Sequence, residues 1–262
     1  MNIVVCIKQV PGTVKVKLDP ESGTYKTDDS VDPIINPFDE YAIEEGLRLR
    51  EKYEGVVKIV SMGPSGAERA IRNAIAMGAD EGYHVTDPAF EGSDTWATAY
   101  TLANAIKKIG EFDLIITGKQ TWDSDTAQVA PGIAEMLDIP FVAWVRKIEE
   151  IKDNTITVER LMESGYDIIQ MPVPALISVV KEINEPRLAS LRGIMKSKKT
   201  EIKKMSADDI EADKGKCGFA GSGTFVQSVT TPEKKTGGEK ITGEIPELEK
   251  ISSTVIKLKL IK

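Results

Sequence analysis

Along the first 140 residues, short apolar runs alternate with amphipathic runs of helical period. Asn2 to Lys8 is a β-branched apolar run closed by Val10-Pro11-Gly12, and it predicts a buried first strand. Lys15 to Asp29 alternates weakly around Ser22-Gly23 and predicts a surface hairpin. Within 32–53, Asn36 and Pro37 open a helix whose first turn is acidic and whose later turns are basic, the order the helix dipole favours. Val56 to Ser61 predicts a second strand. Gly63-Pro64-Ser65-Gly66 then turns into a helix with Ala67, Ala70, Ile71, Ala74 and Ile75 on one face, ended by Gly78. Glu81 to Val85 reads as a third strand, before a helix capped by Ser93 with Ala99, Leu102, Ala103 and Ile106 inward. Leu114 to Thr117 reads as a fourth, joined by a polar loop to a helix from about Thr126 to Leu137. Strand then helix, repeated four times, implies right-handed crossovers and a mostly parallel α/β sheet flanked by helices.

After Pro140 the period changes. Phe141 to Ile151, Thr155 to Leu161, Tyr166 to Gln170 and Ala175 to Val180 are strand-like runs, with a turn at Lys152-Asp153-Asn154, and they extend the same sheet in part antiparallel. From about Ser206 the composition shifts to Gly, Ser, Thr, Lys and Glu until Val255 to Ile261. So few apolar residues cannot make a core, so the pattern predicts an α/β domain over 1–205 and a C-terminal arm over 206–262 that orders against another chain.

Composition narrows the function classes. Of 262 residues, 41% are hydrophobic and 29% charged, and 34 basic against 41 acidic side chains leave a net charge of -7. That balance argues against nucleic acid or an anionic membrane surface as partner. The apolar part of MNIVVCIKQVPG is too short for a signal peptide, and no run approaches a membrane span, so a cytoplasmic location without membrane insertion is expected. Cys6 and Cys217 show no metal-ligand spacing, which suggests neither disulfide nor zinc site. The single histidine, His84, reads as a surface residue, and its solitude makes triad chemistry improbable. No catalytic residue and no metal ligand is assigned, and whether the chain is itself an enzyme stays open.

The candidate chemistry lies in Gly118 to Val129, GKQTWDSDTAQV. A buried strand that breaks at glycine and feeds through a polar loop into a helix presents N–H groups and a positive helix end to an anion. A plain strand-to-helix turn capped by Asp125 fits the same residues. Neither GxGxxG nor a P-loop is present: Gly221-Ser222-Gly223 lacks its third glycine at Val226. Several strand ends can instead converge on one ligand, namely Cys6 to Gln9, Asn36 to Asp39, Met62-Gly63 and the long loop. Thr126 and Gln128 suit a pyrophosphate, while Asn36 suits a ribose or adenine edge or caps its helix. Asp123 with Asp125 could hold a metal or act as a general-base pair, though an acidic loop holding a helix start is the commoner explanation.

Taken together these stretches resemble the β subunit of electron transfer flavoproteins. The carriers are NPFDEYAIEEGLRL at 36–49, MGPSGAERAIRNAIAMGAD at 62–80, GKQTWDSDTAQV at 118–129, VERLMESG at 158–165 running to PVPALIS at 172–178, and NEPRLASLRGIMKSKK at 184–199. The resemblance implies a Rossmann-like adenine-nucleotide-binding domain, paired with an α subunit that carries FAD and exchanging electrons with a flavin-dependent dehydrogenase. It places the β-subunit nucleotide against Cys6, Asn36, Pro37, Phe38, Asp39, Met62, Gly118, Lys119, Gln120, Thr121, Trp122, Asp123, Ser124, Asp125, Thr126, Ala127, Gln128 and Val129. That nucleotide is AMP in mitochondrial-type members and a second FAD in electron-bifurcating ones, which take electrons from NADH and pass some to a ferredoxin or flavodoxin. The DxDTAQV form is nearer the bifurcating group, although Ala130 stands where that group often has glycine. The segment with Leu188, Leu191, Arg192 and Ile194 corresponds to the loop that docks the dehydrogenase. Two other classes remain open: a nucleotide-hydrolysing or adenylating enzyme, for which KQVPG at 8–12 lacks the phosphate loop, and a stand-alone nucleotide sensor, which would not need the 184–199 segment.

Overall fold

Nine of the apolar runs pair into one sheet. In chain order its strands are β1 (Asn2–Cys6), β2 (Val56–Met62), β3 (Glu81–Val85), β4 (Leu114–Gly118), β5 (Phe141–Lys152), β6 (Thr155–Met162), β7 (Gly165–Pro172), β8 (Ala175–Val179) and β9 (Ile202–Met205). Side by side they lie β7-β6-β5-β8-β4-β1-β2-β3-β9. From β5 through β8, β4, β1, β2 and β3 to β9 every pairing is parallel, whereas β5 with β6 and β6 with β7 are antiparallel. The computed structural model describes residues 1–12, 17–18, 25–26, 32–227 and 245–257, in two compact units, Met1–Gln227 and Ser228–Lys262.

The two-residue period of β1 sorts its side chains into two layers. Ile3 and Val5 join the cluster under α1 (Pro37–Tyr53) and α2 (Glu68–Met77), and Val4 and Cys6 join the one under α3 (Thr95–Ile109) and α4 (Val129–Leu137). Covered on both faces, β4 and β8 are buried at every position, so LIITG and ALISV read as continuous apolar runs. Fully buried side chains such as Ile3, Ile59, Ile115 and Ile116 each contribute roughly 1.5–3 kcal/mol, which makes the middle of the sheet a rigid base for whatever its strand ends carry.

Three local expectations are corrected and one strand is added. Asp94, not Ser93, caps α3, its carboxylate accepting the Ala97 N–H at 3.0 Å. The fourth helix starts at Val129, because Asp125 and Ala127 have φ of 55° and 57°, outside the helical region. An edge strand, β9, pairs in parallel with β3 although IKKM carries only two apolar residues. Finally, the first unit runs past residue 205: Ala207, Ile210 and Cys217 are buried beside Tyr83, Val85 and Phe90, which ties 206–227 to this unit.

The expected hairpin is seen as an antiparallel pairing of Lys17–Leu18 with Tyr25–Lys26, and its turn at Ser22-Gly23 lies outside the described residues. In the second unit the described part is a helix, α6 (Ile245–Lys257), which exposes Ile245, Leu248 and Ile256. The last residues of VIKLKLI, 258–261, lie outside the described residues. Among the described residues no helix is long and apolar enough to cross a membrane, and no group of three metal-ligating side chains is found.

Candidate nucleotide site at the sheet switch point

The chain steps from β1 outward to β2 and β3, then returns to place β4 on the other side of β1. At such a reversal the loops leaving the carboxyl ends part, and ligands of open α/β sheets collect in the gap. The N-terminal turn of α1 closes the bottom of this gap. Asp39, in that turn, accepts the Lys8 N–H at 2.7 Å and the Gly118 N–H at 3.2 Å, so one carboxylate bridges the ends of β1 and β4. Gly118 has to be glycine here: a Cβ would lie 2.5 Å from Asp39 Oδ1 and 2.7 Å from the Phe38 carbonyl carbon. Burial pushes the Asp39 carboxyl up to about 7, against hydrogen bonds from Asn36, Lys8 and Gly118 that pull it down. Burial, aided by the Asp39 charge, pushes the Cys6 thiol up to about 12, so Cys6 stays a neutral packing group.

Asn36 organises the loop above. Its Nδ2 donates to the Gln120 carbonyl at 2.9 Å, its Oδ1 accepts the Trp122 N–H at 3.2 Å, and its own N–H donates to the Lys8 carbonyl at 2.9 Å. The side chain is fully buried and makes no cap bond to α1, despite its N-cap position. Asn36 therefore spends its side chain on holding the loop. The far side of the loop is tied by Lys8, whose Nζ lies 2.6 Å from Asp123. Burial works to raise the Asp123 carboxyl, but the Lys8 hydrogen bond and charge outweigh it and leave the group below its ordinary value.

Beyond Asp123 the chain tightens. Thr121 and Ser124 share a hydroxyl hydrogen bond of 2.8 Å, and the Asp125 N–H donates to the Thr121 carbonyl at 2.9 Å. Asp125 takes the side-chain amide of Gln120 rather than capping α4, so the expected cap is absent; Gln128 stands at the cap position without a side-chain bond. Thr126 and Gln128 keep their side chains exposed along a cleft of about 460 Å³, shared with Asp94, Trp96, Gly132 and Thr224.

Three groups around the gap lack the partners their chemistry calls for. Gln9, just past β1, has a buried side-chain oxygen with no hydrogen bond, and its amide nitrogen lies beside Gly66. Lys119 holds its ammonium 4.9 Å from the Phe38 ring and 6.0 Å from the Trp144 ring, with no carboxylate or hydrogen-bond acceptor against it among the described residues. Next to Met62, His84 is fully buried, not superficial: its Nε2 lies 3.1 Å from both the Gly63 and Pro64 carbonyls, and Nδ1 is unpartnered. A spare acceptor, a spare cation and backbone turned by left-handed residues fit an adenine nucleotide with phosphates.

A family model described as "Electron transfer flavoprotein domain" matches residues 26–210. The chain belongs to the electron transfer flavoprotein family. It is 49% identical over 248 residues, 94% of each chain, to "Electron transfer flavoprotein subunit beta" of Thermoanaerobacterium thermosaccharolyticum. It is 43% identical to "Caffeyl-CoA reductase-Etf complex subunit CarD" of Acetobacterium woodii, over 99% of this chain and 98% of that one. It is 41% identical to "Protein FixA" of Azorhizobium caulinodans, over 92% of this chain and 88% of that one.

In this electron transfer flavoprotein chain, the 184–199 segment lies away from the switch point. Arg187 pairs with Glu44 at 2.8 Å and Glu51 at 2.6 Å, and α5 (Leu191–Lys199) begins at Ser190, whose Oγ accepts the Gly193 N–H at 3.0 Å. The backbone is pinned to α2 by Arg72 donating to the Ser197 carbonyl at 2.6 Å and by Lys196 donating to the Ala79 carbonyl at 2.9 Å. Leu188 and Leu191 nevertheless stay 93% and 83% exposed, beside exposed Arg192, Ile194 and Met195. A cleft of about 500 Å³ is lined by residues of α2 and α5, where Arg50 already meets Asp80 at 2.9 and 3.0 Å, and none of the three unpartnered groups lines it.

Lys8 and Gln9 border the gap, within the Cys6 to Gln9 stretch that the strand-end pattern selects, whereas the family resemblance names Cys6 alone on that strand. Trp144 gave no signal, since an aromatic in a strand-like run reads as an ordinary sheet residue.

Proposed function

We propose that this chain is the β subunit of a heterodimeric electron transfer flavoprotein that holds FAD at the switch point and takes electrons from NADH. The pair would pass them to a flavin-dependent dehydrogenase and to a low-potential acceptor such as a ferredoxin or flavodoxin. The observation that carries the reading is the gap between β1 and β4, with the Asn36-held loop on one side, the unpaired Lys119 ammonium above and the spare Gln9 oxygen opposite. The DxDTAQV form of the loop, nearer the bifurcating group by resemblance, favours the bifurcating variant over a simple carrier.

FAD, when bound, supplies the redox chemistry, accepting a hydride and releasing electrons one at a time. The chain supplies position. Asp39 fixes the two strand ends, Asn36 and the Lys8–Asp123 pair fix the loop, and Thr126 and Gln128 offer polar groups for the pyrophosphate. Nothing here needs a nucleophile or a general base, in keeping with the buried, neutral Cys6 thiol.

The α subunit is the partner for the second unit. Residues 228–262 form a unit of their own, and α6 exposes Ile245, Leu248 and Ile256, which suits an arm that orders on another chain. Leu188, Leu191, Arg192 and Ile194 form the dehydrogenase-docking surface, an apolar anchor on a charged rim. Cofactor extraction from the purified heterodimer tests the reading: about two FAD per pair with bleaching by NADH supports it. One FAD with one AMP and no response to NADH would reduce the chain to the subunit of a one-flavin carrier.

A further inference from the structure

Trp144 is a bulky residue in a conformation that bulky residues avoid. Its φ is 59°, and it sits in a β-bulge: Val142 pairs with Ile177 and Val145 with Val179, so Ala143 and Trp144 together oppose Ser178 alone. Buried Ser178 holds the distortion by accepting the Trp144 N–H at 3.3 Å, and the Val180 N–H donates to the Val145 carbonyl at 3.1 Å. The bulge leaves the indole 44% exposed, near the amino end of β5 and beside the carboxyl end of β8. There it faces Lys119, which has crossed over β8 with its own N–H on the Val179 carbonyl at 3.0 Å. Phe38, at the start of α1, has its ring 4.9 Å from the same ammonium.

Strain of this kind persists only where the surroundings enforce it, and bulges beside binding sites re-aim a side chain. Here the re-aimed side chain is a ring, and it lies near a cation that has a second ring beside it and no anion against it among the described residues. An ordinary fold needs none of this, since glycine would occupy the left-handed position without strain.

We propose that Trp144, with Phe38 and Lys119, is the seat for a planar ring of the bound dinucleotide, the indole stacking on the ring and the ammonium facing its electron-rich edge. The inference rests on the reading of the switch point as an FAD site and extends it to a residue on β5, two strands from the loop that holds the phosphates. Indole is the broadest stacking surface among side chains, and a lysine ammonium near two rings is already partly stripped of water, so it meets a ligand's negative edge at little further desolvation.

The test uses the full chain purified with its α subunit, stripped of cofactor and titrated with FAD. Trp144→Gly removes the ring and relieves the φ, so the cofactor-free complex should melt no lower than the parent while FAD binds about tenfold more weakly, the loss of one stacking contact. The absorption bands of the bound flavin should shift as well. Trp144→Phe should recover most of the affinity, since it restores a ring. Equal affinity and an unchanged flavin spectrum in Trp144→Gly would overturn the proposal while leaving the FAD site intact. A parent complex that holds AMP and takes up no second FAD would overturn the underlying reading itself. Should the glycine variant be poorly soluble, Lys119→Met keeps the packing and removes the charge, and an affinity equal to the parent's would refute the role given to the ammonium.

Discussion

Replacing Asp39 by asparagine probes the centre of the site. The carboxyl is fully enclosed, and its folded-state value of about 7 stands well above its ordinary 3.8. The folded state therefore holds a proton that the unfolded chain has released throughout the window between those values. Below pH 3.8 both states are protonated, and the group's contribution is fully present. As pH rises toward 7 the unfolded chain gains by ionising while the folded chain does not, so stability falls; above about 7 the loss is complete. Each pH unit within the window is worth about 1.4 kcal/mol, so between pH 5 and pH 8 this one residue should remove about 3 kcal/mol. The variant side chain cannot titrate, but its amide has a single acceptor for two N–H groups, which leaves the Lys8 or Gly118 N–H facing another donor at a loss of about 1–3 kcal/mol. Denaturant unfolding of the full chain at pH 5, 6, 7 and 8 separates the two effects. The gap between parent and Asp39→Asn should be widest at pH 5 and narrow by about 3 kcal/mol at pH 8. A gap constant across this range would mean that the two backbone donors keep Asp39 ionised throughout, and the argument from burial would be refuted.

Two further outcomes are expected. Leu191→Ala should lower electron transfer to the partner dehydrogenase about tenfold, within the range for a central interface anchor, while flavin content and melting temperature stay as in the parent; loss of flavin or of solubility would instead mark Leu191 as part of the fold. Removing residues 228–262 should leave a folded first unit that no longer co-purifies with the α subunit, and recovery of a tight, flavin-loaded pair would refute the arm.

The central layers were legible because β1, β2, β4 and β8 are buried on both faces and α2 and α3 carry clear apolar stripes; nothing in those segments competes with the periodicity. β9 escaped because an edge strand buries few positions, here Ile202 and Met205 around two lysines. The 206–227 segment looked too polar to fold, yet it needs few apolar residues, since Asp87 accepts the Ala207 N–H at 3.0 Å and Asp94 accepts the Thr224 N–H at 3.0 Å. At the site, the strand-end rule pointed Cys6 to Gln9, Asn36 to Asp39, Met62-Gly63 and the long loop at one gap, but it could not assign roles. Asn36 and Asp125 look like helix caps from their neighbours in sequence. Asn36 is instead spent on Gln120 and Trp122, and Asp125 on the Gln120 side chain; the contact between Asn36 and Gln120 spans 84 residues of chain. The bulge that turns Trp144 outward is a register mismatch between two strands, so neither strand's own residues announce it.

The pinning of α5 has a kinetic consequence. Gly193 packs so close that a Cβ would stand 2.0 Å from the Ala76 carbonyl oxygen, and Arg72 and Lys196 fasten the next turns, so the backbone under Leu188 and Leu191 has little freedom left to lose. A visiting protein then has only a few side-chain rotamers to freeze, roughly 0.5–1.5 kcal/mol each, and no loop to fold. Recognition can be selective while the complex stays short-lived, because selectivity comes from the fixed outline of the helix and lifetime from the small apolar area it offers. A carrier that must leave after each delivery gains turnover from such a surface in a way that a larger, stickier interface would deny it.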